Sequence, residues 1–173
     1  MANIKIVCGA NFGDEGKGLM TDYFCHQATS KGENCIVVMS NGGAQRGHTV
    51  VTPDGIKHIF KHFGAGTFAG AATYCPEEFI INPMTFRKEY DELGYLPRTY
   101  IHRNCKWTTP YDMFINQIVE ETRDNKRHGS CGMGIWETIC RYERNPHTLS
   151  IFNFAMLDKA KRIEYLKTSE IHI

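Results

Sequence analysis

Apolar positions along the chain fall into short runs separated by polar, glycine-bearing stretches, and the runs alternate between strand-like and helix-like periods. Ile4-Lys-Ile-Val-Cys8 and Cys35-Ile-Val-Val-Met39 are short apolar runs suited to buried parallel strands, and Leu19 to about Ala28 reads as the helix between them. Val50-Val51 and Ile56–Ile59 flank Thr52-Pro-Asp-Gly55, a turn with the residues a hairpin wants. Phe79-Ile-Ile81 predicts a strand, Pro83 to Leu93 a helix stopped by Gly94, and Thr99-Tyr-Ile-His102 a further strand. Thr109-Pro110 offers an N-cap followed by proline at the first helical position, opening a helix to about Arg123, and Phe154 to Leu166 predicts a last one. The alternation implies an α/β fold, an open and mostly parallel sheet with flanking helices. No repeat, linker or low-complexity segment interrupts it, so residues 1–173 read as a single domain.

Composition narrows the function classes. Hydrophobic residues make up 42% of the 173, enough for one core. A net charge of +1 without a basic run gives no electrostatic footprint for nucleic acid. No apolar stretch approaches a membrane span, and Met-Ala-Asn-Ile-Lys at the start lacks the apolar core of a signal peptide, so a cytoplasmic protein is expected. The 7 cysteines form no Cys-x-x-Cys pair, which argues against a zinc site or a redox motif of that kind and reads mostly as reduced core cysteine.

The densest chemistry lies in Asn11-Phe-Gly-Asp-Glu-Gly-Lys-Gly-Leu-Met20, between the first strand-like run and the first helix. Gly13, Gly16 and Gly18 let backbone approach a ligand and aim N–H groups at it, the following helix adds its positive end, and Lys17 supplies a full charge. This is a phosphate-loop pattern, but not a Walker A sequence: Asn11 stands where the first glycine belongs and Gly18 where the metal-binding hydroxyl belongs. Asp14 lies inside the loop, where it would repel phosphate unless a divalent cation or an exchanging proton lies between them. A second segment, Asn41-Gly-Gly-Ala-Gln-Arg-Gly-His-Thr-Val-Val51, follows the second strand-like run, and open α/β sheets form their ligand crevices at such carboxyl ends. The two segments are therefore expected to face one another.

Phe12-Gly-Asp-Glu-Gly-Lys-Gly18 resembles the signature loop of adenylosuccinate synthetases, and residues 41–51 are similar to that family's Gly-Gly-x-Asn-Ala-Gly-His-Thr-Val segment. His58-Ile-Phe-Lys-His-Phe-Gly-Ala-Gly66 and Gly129-Ser-Cys-Gly-Met-Gly-Ile135 resemble two further family segments in the same order. The resemblance implies a GTP-dependent ligase: GTP phosphorylates the 6-oxygen of inosinate, and aspartate then displaces the phosphate. It implies Asp14 as the general base and a ligand of Mg2+, His48 as the catalytic histidine, Lys17 as the phosphate-loop lysine and the Gly47 carbonyl as a second metal ligand. Gly13, Glu15, Gly16, Gly18, Gln45, Thr49, Val50, Ser130 and Cys131 fall on nucleotide-binding positions. A homodimer is implied too, with an arginine reaching across its interface, for which Arg141 and Arg144 are both candidates. His58 and His62 are expected to face solvent or a neighbouring loop, Arg46 to be either a phosphate or carboxylate clamp or an exposed loop arginine without a partner, and Tyr90, Asp91 and Glu92 a solvated helix face.

Several positions depart from the family. Gln45 replaces an asparagine, Arg46 a small alanine, Cys131 a phosphate-binding threonine, and Trp136-Glu-Thr a Gly-Pro-x. The departures cluster around the purine monophosphate, which leaves open an enzyme of the phage type acting on deoxyguanylate. Family members are also considerably longer, with the guanine- and aspartate-recognition segments in their distal half, so a nucleotide-binding module without ligase activity stays a third reading.

Overall fold

A computed structural model describes residues 3–11, 13–40, 42–145 and 147–169. Phe12 of the glycine loop and Asn41 of the second segment lie outside the described residues, as do Met1, Ala2, Pro146 and residues 170–173.

The sheet is parallel at its centre. β1 (Ile36–Val38), β4 (Ala72–Cys75) and β6 (Thr99–Ile101) form a three-stranded parallel sheet in the order β1-β4-β6. Its pairs include Val37 with Thr73 and Tyr74 with Tyr100. β2 (His48–Val51) and β3 (Lys57–Phe60) form the expected hairpin, in which Thr52 Oγ1 accepts from the Ile56 N–H at 3.0 Å. β5 (Ile80–Ile81) pairs in parallel with β7 (Lys106–Trp107). α1 (Lys17–Thr29), α2 (Pro83–Leu93), α3 (Pro110–Thr122), α4 (Ile135–Arg144), α5 (Ile151–Ala155) and α6 (Lys159–Ser169) are the α-helices.

Helix ends follow local chemistry. Asn82 caps α2 by accepting from the Thr85 N–H at 3.0 Å, Pro83 takes the first turn, and Gly94 ends the helix in the left-handed region at φ 73°. Thr109 and Asp112 form a reciprocal capping box at the start of α3, worth about 1 kcal/mol for a cap of this kind. The last helix differs from expectation: it is split into α5 and α6 by Met156–Asp158. Ser150 caps the first piece and the Asp158 carboxylate accepts from the Lys161 N–H at the start of the second.

Ile4–Cys8 does not form the expected strand. A strand exists only through its ladder, and no described segment pairs with this run, so Ile4 and Ile6 stand more than four-fifths exposed. The segment lies near α1, with Lys5 Nζ 4.6 Å from the centre of the Phe24 ring.

Two apolar clusters set the positions of the functional loops. Met39, Cys75, Phe79, Ile81, Cys105 and Trp107 form one buried cluster, with Phe154 and Tyr165 of α5 and α6 packed at a tilt against Trp107. Val50, Phe60, Phe63 and Ala65 pack with Phe86, Tyr90 and Leu93 of α2. Tyr90 therefore points inward, whereas Asp91 and Glu92 remain on a solvated face in i,i+4 pairs with Arg87 and Lys88. His58 and His62 also differ from expectation: they flank Glu89, which is 2% exposed and accepts from the N–H groups of Lys61, His62 and Phe63. His58 Nε2 and His62 Nδ1 each lie 3.6 Å from that carboxylate. Burial opposes ionisation of Glu89, but the His62 side chain and the backbone donors outweigh it and hold the carboxyl below its ordinary range. These histidines belong to the core beneath the hairpin, where a buried carboxylate needs such partners.

Candidate functional site

The glycine loop opens directly into α1, whose first residue is Lys17 and whose N-cap, Gly16, is left-handed at φ 73°. Asp14 is also left-handed, at φ 50°, a conformation that aspartate tolerates better than most side chains, and it stands exposed at the loop surface. Glu15 turns back into the loop. One of its carboxylate oxygens accepts from the Asn11 N–H and the other from Lys17 Nζ at 2.5 Å. The Lys17 hydrogen bond is the largest influence holding Glu15 below the usual carboxylate range, followed by the Asn11 N–H. The Glu15 carboxylate thus takes the donors, one backbone N–H and one ammonium, that a phosphate would take.

The second segment lies against this loop. A Cβ at Gly18 would stand 2.9 Å from His48 Cβ and 3.2 Å from the His48 backbone carbon, so the first turn of α1 and the start of β2 touch where a side chain would separate them. Burial, and then the charges of Arg46 and Lys17, push the His48 imidazole below its ordinary pKa. A neutral ring at neutral pH keeps one N–H to donate and one nitrogen to accept. Gly47 and Thr49 are exposed on either side of it. The Val50 side chain points into the core beside Phe60 and Phe63, leaving its backbone in β2. Of the two readings of Arg46, the exposed and unpartnered one does not hold: its guanidinium donates to the Ser40 carbonyl at 2.7 Å and lies 5.0 Å from the Phe79 ring centre, and burial lowers its pKa.

The 129–135 loop joins the same region from the other side. A Cβ at Gly43 would press on the Ile80 carbonyl and stand 2.9 Å from Ile135 Cδ1, so the second segment and the start of α4 are in close contact. Between them Gln45, Asn116, Ser130, Cys131, Met133, Trp136 and Ile139 line a cavity of about 450 Å³. Ser130 Oγ donates to Asn116 Oδ1 at 2.7 Å, and Gln45 Oε1 accepts from the Gly43 N–H at 2.8 Å. The Gly129 and Ser130 N–H groups are already taken by Glu120, at 2.6 and 3.3 Å. Desolvation works against that carboxylate, and the Gly129 N–H with the Arg123 guanidinium overcomes it. Sequence reasoning did not find Asn116 or Trp136 as site residues. Asn116 carries no motif, and only the fold turns that face of α3 toward the loop; Trp136, 65% exposed, was visible only as a departure.

The two candidate arginines separate. Arg141 donates to the Asp112 carboxylate at 2.9 Å and to the Trp107 carbonyl at 2.6 Å, bracing α4 against the start of α3. Its side chain is only 10% exposed, so it is committed inside this chain. Arg144, one turn on, is exposed at the end of α4 and lines a larger groove of about 880 Å³ with Arg123, Trp136, His147 and Tyr165.

Comparison with known proteins identifies the family and the fold. The family described as adenylosuccinate synthetase matches residues 6–159. The adenylosuccinate synthetase of Synechocystis sp. is 34% identical over 145 residues, 80% of this chain and 30% of that protein. The Prochlorococcus marinus enzyme is 31% identical over 152 residues, 84% of this chain and 33% of that protein. Among solved structures, the fully ligated adenylosuccinate synthetase of Plasmodium falciparum superposes over 94% of this chain and 37% of its own, with TM-score 0.74 and 20% identity. The cyanophage S-2L succinoaminodeoxyadenylate synthetase (PurZ), bound to dGMP and dATP as an energy donor, covers 91% of this chain and 41% of its own, with TM-score 0.63 and 19% identity. The chain spans about a third of the length of the curated relatives it matches. The helix-flanked parallel sheet is the fold of those structures, and the chain belongs to the adenylosuccinate synthetase family.

Proposed function

We propose that this chain carries the phosphate-handling part of a GTP-dependent purine nucleotide ligase, which condenses aspartate with inosinate through a 6-phosphoryl intermediate. The observation that supports this best is the contact of Gly18 with His48, which sets the phosphate loop and the histidine segment side by side as phosphoryl transfer requires. Lys17 holds the transferred phosphate once Glu15 releases it. Asp14 takes the N1 proton of the purine, a role that suits an exposed carboxylate beside the loop. His48, neutral at physiological pH, donates its N–H toward the oxygen where charge develops.

Magnesium fits this donor set. It commonly takes one or two carboxylates and fills its shell with phosphate oxygens and water, and the described residues hold no group of three or more His, Cys, Asp or Glu that would form a dedicated cage. Asp14 and the Gly47 carbonyl would hold the ion, which would neutralise phosphate charge. The 450 Å³ cavity takes the purine monophosphate, and Arg144 of a second copy reaches it in a cytoplasmic homodimer. Sedimentation with nucleotide present checks the dimer, a monomer refuting it.

A second reading directs the enzyme to deoxyguanylate. The departures Gln45, Cys131 and Trp136 all line that one cavity, which supports an altered monophosphate specificity.

Calorimetry with magnesium and GTP, inosinate or deoxyguanylate tests these readings. Lys17→Ala is expected to weaken nucleotide binding by about 1.5–3 kcal/mol, the range for a hydrogen bond to a charged group. Glu15→Gln is expected to tighten it by freeing Lys17. In a synthetase assay with aspartate, Asp14→Asn should lose rate by about 10²-fold or more while affinity changes little. Equal affinity in wild type and Lys17→Ala refutes the phosphate site. Binding without phosphate release, even with the distal part of a family member supplied, leaves a nucleotide-binding module in place of a ligase.

A further inference from the structure

Cys25 lies two turns into α1, and Cys35 lies immediately ahead of β1. They are ten positions apart, and their sulfurs approach to 3.4 Å. Both are free thiols. Cys25 is 3% exposed, packed with Ala69, Ala71 and Val37, whereas Cys35 is half-buried at the edge of that cluster and open to a small oxidant. Cys75 and Cys105 are fully buried and their thiols point to carbonyl oxygens, while Cys8 and Cys131 are exposed on separate loops. Among the described thiols, 25 and 35 combine mutual contact with access from solvent.

We propose that Cys25 and Cys35 are a peroxide-oxidised dithiol that closes to an intramolecular disulfide, stapling the phosphate-loop helix to the first strand of the parallel sheet. The Cys35 sulfur attacks one oxygen of hydrogen peroxide and the O–O bond breaks. The departing hydroxide takes the proton given up by the Cys35 thiol and leaves as water, giving the sulfenic acid at Cys35. The Cys25 sulfur then attacks the Cys35 sulfur, the S–O bond breaks, and the departing hydroxide takes the Cys25 proton as a second water. Two electrons pass from the two thiols to the peroxide. Cys35, half-buried where Cys25 is almost fully covered, is the thiol that meets the oxidant first, and burial pushes the Cys25 thiol up to about 12. Because α1 begins at Lys17, the disulfide restrains the helix that carries the loop.

The test treats the full chain with hydrogen peroxide, quenches with an alkylating agent under denaturing conditions and maps the peptides. The expected product is a monomer in which the Cys25 and Cys35 peptides are joined with loss of two hydrogens, reversed by dithiothreitol. Its melting temperature should rise by about 5–10 °C, the scale for a short-loop disulfide in a chain of this size. Cys35→Ser should abolish both the cross-link and the rise. Being half-exposed, this substitution keeps the test decisive if Cys25→Ser does not fold. The proposal is overturned if Cys35 accumulates as sulfinic acid with Cys25 still alkylated, or if the cross-links run through Cys8 or Cys131 instead.

Discussion

Substituting alanine at Gly18 separates the packing account of this site from a purely local one. Gly18 is the second residue of α1, and replacing a helical glycine by alanine ordinarily stabilises by about 0.5–1 kcal/mol. Here the added methyl would stand 2.9 Å from His48 Cβ and 3.2 Å from the His48 Cα and carbonyl carbons. Ordinary carbon contacts begin near ~3.5 Å, so α1 and β2 must part by several tenths of an ångström, and the obstacle includes backbone that cannot rotate away. Overpacking of this kind costs about 1–3 kcal/mol, which leaves a net loss of up to about 2.5 kcal/mol, centred at about 1, after the helix term. For a chain of this size a loss of about 1 kcal/mol is a fall in melting temperature of about 2–4 °C, and the upper limit is about 10 °C. Thermal denaturation followed by circular dichroism, with and without magnesium and GTP, measures it, and the mutant should also gain less from nucleotide because Lys17 moves relative to His48. A Gly18→Ala protein as stable as wild type or more so, with the same nucleotide response, would falsify the contact on which the proposed function rests.

Two further outcomes follow from the site. His48 should titrate below 6.5 in a proton NMR pH series, and Lys17→Ala or Arg46→Ala should raise its midpoint; because the folded value is the lower one, its contribution to stability is fully present above about pH 6.5 and is lost as pH falls through the depressed value, so a midpoint at or above 6.5 contradicts the geometry. Arg141→Met should cost about 3–5 kcal/mol in urea denaturation by leaving Asp112 buried without its cation, whereas Arg144→Ala should change stability by less than about 0.5 kcal/mol, and equal losses would refute the division between brace and surface arginine.

Elements governed by neighbours in sequence were legible from the sequence. Asn82, Pro83 and Gly94 bound α2 through contacts within a few residues, Thr109 and Asp112 start α3 in the same way, and the 52–55 turn determines the hairpin. The glycines, Asp14, Lys17 and His48 mark the proposed phosphate site by residue type and order, since backbone approach, charge and a proton acceptor are chemical needs that only a few residues meet.

What depends on distant partners was not legible. Ala72–Cys75 is short, with Thr73 and Tyr74 as its only strong strand formers, yet it becomes the central strand because β1 and β6 pair with it on both sides; Ile4–Cys8 has the longer apolar run and no described partner, so it forms none. Only the tertiary structure decided that Glu15 occupies Lys17, that Gly18 meets His48, that Gln45, Asn116 and Trp136 share one cavity, that Arg141 is spent on Asp112, and that Cys25 and Cys35 touch. A sequence specifies which groups a chain carries and how its backbone turns over a few residues; which group neutralises, buries or reaches another is set by contacts between segments far apart in the chain, and those exist only once the sheet and helices have packed.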